Sequence, residues 1–171
     1  IAPERKNIVQ FYDKPIPLME YYNVEKQLKQ SFGKHVNIPS SKGAYLVIEH
    51  TEALHVIDVN SGNNISSGGA GNKDHALNVN KMAATEIARQ LRLRDMGGII
   101  VIDFIDMINA DHRRDLYEHL KKEMSRDKAR HKILPPSKFG LIQLTRQRTR
   151  PENIIETKEE NPNADGEILA P

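Results

Sequence analysis

The order of segments along the chain predicts an α/β fold: a mixed β-sheet flanked by helices. Three observations carry this. The stretch 43-GAYLVIEHTEALHVIDVN-60 holds two β-rich runs, residues 75–95 show a helical apolar stripe, and 99–105 is a short, nearly unbroken apolar run. After the first pair of strands the order reads ββ-α-β-α-β. An apolar strand reached through a crossover helix belongs in a sheet that helices cover.

The elements follow in order. Residues 15–33 open with two prolines and then place Tyr21, Val24, Leu28 and Phe32 at helical spacing, which predicts a helix ending near Gly33. The two β-rich runs of 43–60, separated by His50-Thr51-Glu52, predict an antiparallel hairpin. Residues 61–74 form a Gly/Ser/Asn loop long enough for a functional or mobile role. In the helix of 75–95, Leu77, Lys81, Ala84, Ala88 and Leu91 share a row, with Val79, Ala83 and Ile87 beside it. Asn72 or Asp74 is its candidate cap and Gly97-Gly98 its stop. A second helix is expected over 111–131, with Asp111 as cap and Leu116, Leu120 and Met124 at four-residue steps. Pro135-Pro136 break it, and 139-FGLIQLTRQR-148 reads as the last strand. The tail 151–171 is acidic, rich in Asn and Pro, and reads as a flexible linker.

At 171 residues the chain suits one domain, or one domain with part of another. Its 38% hydrophobic and 28% charged residues fit a soluble globular protein, and with 5% aromatics and no Trp the core must rest on aliphatic side chains. A net charge of +2 does not by itself point to nucleic acid, so the distribution of charge matters more than its sum. The absence of Cys excludes disulfides and Cys-ligated metals within these residues and fits a reducing, cytoplasmic setting. No run approaches the roughly 18 apolar residues of a membrane helix. A charged start in place of a signal peptide, and no initiator Met, lead us to expect a fragment of a longer protein.

Three constellations could carry chemistry. The first is Asp58, Asn60, Asp103 and Asp106, in HVIDVN and VIDFID. A carboxylate in an apolar setting needs a cation, a hydrogen-bond network or a strand end open to water. Asp58 and Asn60 face one side of their strand by period-two alternation. If strands 53–60 and 99–105 are neighbours, their C-terminal ends bring Asp58, Asn60 and Asp103 together, as a hard cation such as Mg²⁺ would require. Pattern alone leaves equally open that each Asp caps a loop or pairs with an Arg. The second constellation is basic: Arg89, Arg92 and Arg94 in RQLRLRD, six Lys and Arg over 121–132, and Arg146, Arg148 and Arg150 in TRQRTR. Three arginines at strand spacing repel one another without an anionic partner, which makes them candidate phosphate contacts at the mouth of a carboxylate site. The basic residues of 121–132 read more simply as a solvated face, which leaves TRQRTR the better candidate. The third is 66-SSGGAG-71, whose glycines match neither phosphate-loop pattern, so a flexible connector is the simpler reading. The seven histidines are scattered, and no metalloprotease or nucleophile signature occurs.

Taken together, TEALHVIDVNSG, LNVNKMAATEIARQLRLRDMGGIIVIDFIDM and SKFGLIQLTRQR closely resemble the catalytic half of the ribonuclease E/G family, in order and spacing, from about residue 13 to residue 151. The resemblance implies that residues 1–34 end an RNase H-like subdomain and that 35–150 form a deoxyribonuclease-like catalytic subdomain. It places the family's Mg²⁺-binding aspartates on Asp58 and Asp103 and its supporting asparagine on Asn60; Asp106 belongs to the motif without being a ligand. The implied activity is hydrolytic endonuclease cleavage of single-stranded RNA that leaves 5′-phosphate ends, in rRNA processing and mRNA decay, by a homo-oligomer in the full-length protein. The family's Cys-x-x-Cys zinc link has no counterpart in 151–171, and its oligonucleotide-binding barrel and 5′-end sensor are not matched here. An RNA-binding or scaffolding module without catalysis is the competing expectation. A metal-dependent phosphatase or deoxyribonuclease would keep the site and change the substrate.

Overall fold

A computed structural model describes residues 9–62 and 72–151, with side chains of the second stretch described from residue 75. The candidate caps Asn72 and Asp74, the glycine-rich 66–71 stretch and the acidic tail beyond Pro151 lie outside the described side chains. Among the described residues the elements run α1 (Leu18–Tyr21), α2 (Val24–Phe32), β1 (His35–Asn37), β2 (Tyr45–His50), β3 (Leu54–Asn60), α3 (Asn72–Arg94), β4 (Gly98–Asp103), α4 (Ala110–Met124), β5 (His131–Ile133) and β6 (Ile142–Arg146). Six strands form one mixed sheet in the order β1-β2-β3-β4-β6-β5. Among the described strands the central pair β3–β4 is parallel and the other pairs are antiparallel, and α3 makes the crossover between β3 and β4.

Alternation along the strands separates two faces. One carries Leu46, Ile48, Ile57, Val59, Ile100, Ile102, Ile142 and Leu144, all buried. Against it pack Val79, Ala83, Ala84, Ile87, Ala88 and Leu91 of α3 and Leu116, Leu120 and Met124 of α4. The alanines let the α3 backbone approach the sheet closely, which suits a crossover helix lying flat on its strands. The opposite face carries half-buried Val47, Val56, Asp58 and Val101, with exposed Ile99 and Asp103. The hairpin appears as expected, its turn held by Leu54 N–H donating to Thr51 Oγ1 at 3.0 Å and Thr51 N–H to the Leu54 carbonyl at 2.9 Å.

Several boundaries differ from the sequence expectations. The single helix of 15–33 is two, because Asn23 adopts a left-handed conformation (φ 55°) between them. The long helix ends at Arg94 rather than at the glycines: Asp95 turns left-handed (φ 53°) and Met96 N–H closes on the Leu91 carbonyl at 3.0 Å. The second helix stops at Met124, and residues 131–133 instead form edge strand β5. Its cap is Asn109, whose side chain accepts from Asp111 N–H at 2.8 Å. No helix among the described residues is long and apolar enough to cross a membrane.

Candidate active site and its family

The parallel register of β3 and β4 pairs Asp58 with Asp103 directly. Paired residues of neighbouring strands point to the same face, and the faces follow from burial: Ile57 and Ile102 take the core, so the two acids take the open side. Both lie at the C-terminal ends of their strands. Asn60, two residues on, shares that face and donates from Nδ2 to Asp58 Oδ2 at 2.6 Å, which turns its amide oxygen away from Asp58. Partial withdrawal from water, reinforced by the charges of Asp58 and Asp106, raises the Asp103 carboxyl above its ordinary value. The edge is thus an oxygen-rich cluster in which acidic side chains act on one another. Among the described residues no three His, Cys, Asp or Glu side chains gather into a metal-binding group, so Asp106 does not complete such a group with Asp58 and Asp103.

Two supports for this edge were not apparent in the sequence. Asn80 of α3 is fully buried and clamps the chain just beyond Asp103: its Nδ2 donates to the Ile105 carbonyl at 2.8 Å, and Ile105 N–H donates to its Oδ1 at 3.0 Å. The signal was an amide beside Val79 on the apolar stripe of a long helix, where an unpartnered polar group is costly. At the exit of β3, Gly62 (φ 63°) lies so close to the β1–β2 turn that an added Cβ would sit 2.2 Å from the Gly43 carbonyl oxygen.

Of the TRQRTR arginines, Arg146 is taken up inside the fold rather than at this site. Strand β6 runs antiparallel to β4 and pairs Arg146 with Gly98, five residues from Asp103 and so roughly 16 Å along the strand. Arg146 is buried: Nε and Nη2 meet Asp127 at 2.7 and 3.2 Å, and Nη1 meets Asp95 Oδ1 and the Met96 carbonyl, each at 2.8 Å. Arg150 Nε bonds Asp95 Oδ2 at 3.1 Å, and Arg148 packs over Gly97. For Arg146 and Arg150 the anionic partner is therefore supplied from within the chain. In RQLRLRD, Arg94 is likewise committed internally, donating to Gln90 Oε1 and to the Ser31 and Gly33 carbonyls at the end of α2. Arg89 chelates Glu86.

The sequence matches a known family along nearly its whole length. The ribonuclease E/G family profile matches residues 1–149. The chain belongs to the ribonuclease E/G family. It is 45% identical over 151 residues to a chloroplastic ribonuclease E/G-like protein of Arabidopsis thaliana, covering 88% of this chain and 15% of that one. Against ribonuclease E of Escherichia coli it is 43% identical over 149 residues, 87% of this chain and 14% of the relative. Against ribonuclease G of Salmonella typhimurium the figures are 40% over 148 residues, 86% and 29%. The chain thus spans less than a third of the length of these ribonuclease E/G relatives.

Proposed function

We propose that this chain forms the catalytic part of an endoribonuclease that hydrolyses single-stranded RNA with the help of Mg²⁺. The observation that carries the reading is the β3–β4 register, which sets Asp58 beside Asp103 at one sheet edge. The names of the relatives supply RNA as the substrate class. The donor chemistry fits magnesium, which takes one or two carboxylates and keeps several waters; Asp58 and Asp103 would hold it. When bound, Mg²⁺ supplies positive charge at the scissile phosphate and acidifies a water.

The rest is work for the chain's own groups. Asn60 fixes the Asp58 carboxylate through Nδ2, and its outward amide oxygen accepts a hydrogen bond from the attacking water and orients it. The Asn80 clamp on Ile105 keeps Asp103 from drifting as substrate enters. Water adds to phosphorus and the bond to the 3′ oxygen breaks. The upstream fragment leaves with a 3′ hydroxyl, and the phosphate stays on the 5′ end of the downstream one. Residues 35–150 then constitute the catalytic subdomain. Assembly into a homo-oligomer and a cytoplasmic role in rRNA and mRNA turnover extend the same reading.

Asp58→Asn and Asp103→Asn, each in the full-length protein, test it. Cleavage of an end-labelled single-stranded RNA is expected to vanish while RNA binding persists, and matched DNA and phosphomonoester substrates should be inert with wild type. Undiminished turnover in either variant removes the carboxylate assignment. RNA retention without cleavage by wild type would make this a binding module.

A further inference from the structure

Immediately beyond Asp103 the sheet edge opens into a groove of about 680 Å³. One wall is the segment after β4, from Phe104 to Met107, with the first turns of α4; the other is the turn that precedes β6. Its floor reaches the core through Leu116 and Ile142. The groove and the carboxylates share an edge because β6 starts where β4 ends, Ile142 pairing with Ile102. Asp106 belongs to both: it lines the groove, and its charge acts on Asp103.

The turn presents an unusual side chain. Phe139 is 87% exposed, yet its backbone is fixed: Gly140 N–H donates to the Ser137 carbonyl at 3.0 Å, Ser137 N–H to the Leu141 carbonyl at 2.9 Å, and Phe139 N–H to Ser137 Oγ at 3.2 Å. Gly140 takes φ 83°, which a side-chain-bearing residue rarely adopts. A large ring held in water by a hydrogen-bonded turn buries no apolar area of its own, but it is a preorganised stacking surface. Cations flank it. Lys138 precedes it in the chain, is exposed, and makes no ion pair among the described residues. Arg114 lines the opposite wall, and the ion pair it makes among the described residues, with Asp111 at 3.1 Å, is solvent-exposed. Arg113, by contrast, is used to cap the Met107 and Ile108 carbonyls at 2.5 and 2.8 Å.

An exposed aromatic ring between two weakly engaged cations is the combination that grips single-stranded nucleic acid: the ring stacks a base and the cations follow the phosphates. We propose that this groove is a nucleotide subsite, in which a base flanking the scissile phosphate stacks on Phe139 while its backbone phosphate lies against Lys138 and Arg114. The assignment rests on the reading of Asp58 and Asp103 as an RNA-cleaving site. It adds to that site a non-specific grip on the strand, because every base has a face to stack.

The experiment uses the full-length protein carrying Asp58→Asn, and a short fluorescent single-stranded RNA whose anisotropy reports binding. Adding Phe139→Ala should raise Kd about ten-fold, within the range for loss of one stacked base, and Phe139→Trp should restore it. An abasic site in the nucleotide beside the cleavage position should cost the same factor with Phe139 present and little more once Phe139 is Ala, the coupling that marks a direct contact. If the Asp58→Asn protein is silent in cleavage but Phe139→Ala leaves Kd unchanged, the subsite is overturned and the carboxylate reading stands; a groove made for a polypeptide would give this result. Turnover by the Asp58→Asn protein would overturn the carboxylate reading, and the subsite with it.

Discussion

Arg146 offers the sharpest test of how the sheet is locked, and of why it is not an RNA contact. It is 5% exposed and holds two carboxylates that are buried as deeply, Asp95 and Asp127. Arg146→Leu keeps comparable apolar bulk but removes four donor contacts at 2.7 to 3.2 Å. Asp95 retains Thr149 Oγ1 and the exposed Arg150, whereas Asp127 retains only Ala129 N–H among its described partners. Breaking a buried pair by removing one partner costs about 3–5 kcal/mol, because the surviving charge stays desolvated. At this chain length that corresponds to a Tm lower by roughly 10–15 °C. The pH dependence gives the sign. In wild type the Arg146 hydrogen bond lowers the Asp95 carboxyl; at Asp127, burial raises it but Arg146 and Ala129 N–H more than offset that. Both groups therefore contribute stability that is present above the unfolded carboxylate range near pH 4 and is lost as pH falls through their lower folded values. In Arg146→Leu the carboxylates are buried without their cation, so protonation relieves them and the penalty should shrink towards pH 4. Urea unfolding of both proteins at pH 7 and pH 4 measures this. A loss under about 1 kcal/mol at pH 7, or a penalty that grows on acidification, would refute the internal-lock argument.

Three further outcomes follow from the same geometry. Asn80→Leu removes both bonds to Ile105 and should cost about 1–3 kcal/mol in urea unfolding, the usual penalty for orphaned buried polar groups; in the full-length protein it should lower kcat more than it raises KM. Gly62→Ala combines a left-handed φ, worth about 1–2 kcal/mol, with a Cβ 2.2 Å from the Gly43 carbonyl oxygen. It should lower the denaturation midpoint and slow RNA cleavage together, since β3 carries Asp58 and Asn60 to that turn. Leu120→Ala, at a fully buried position between α4 and the sheet, should cost about 2–5 kcal/mol and leave cleavage by the folded fraction intact; thermal unfolding and active-site titration separate the two effects.

The parts of the fold visible in the sequence were those that burial writes as a period. The hairpin, the long α3 and the apolar β4 all carry a stripe or an alternation, and all are present. Strands β1 and β5 carry three residues each, too few to show a period, and β5 sits where the basic residues after α4 look helical. The split between α1 and α2 depends on one left-handed Asn, which helical spacing cannot reveal. At the site, the shared side of Asp58 and Asn60 was readable from alternation, but their meeting with Asp103 required strand neighbours, a non-local fact. The burial of Arg146 in TRQRTR was hidden for a related reason: β6 ends at Arg146, and the two acids that neutralise it come from the end of α3 and the segment after α4.

That the two catalytic candidates meet follows from the direction of one crossover. Had β4 returned antiparallel to β3, residues at their C-terminal ends would lie at opposite edges of the sheet, and Asp103 would face the start of β3. The α3 crossover makes them parallel, so both carboxyl ends, with Asp58 and Asp103 at equal height, open at the same edge. Register is then enforced by the core. A one-residue slip of β4 would turn Ile100 and Ile102 out to water and drive Asp103 in among Ile57 and Ile142. Each isoleucine lost from the core forfeits about 1.5–3 kcal/mol, and the inverted carboxylate adds its own desolvation cost. The aliphatic residues that make HVIDVN and VIDFID look like ordinary core strands are thus what hold their acids face to face. The same helix that sets the direction supplies Asn80, which pins the backbone at the point where the apolar run gives way to Asp103.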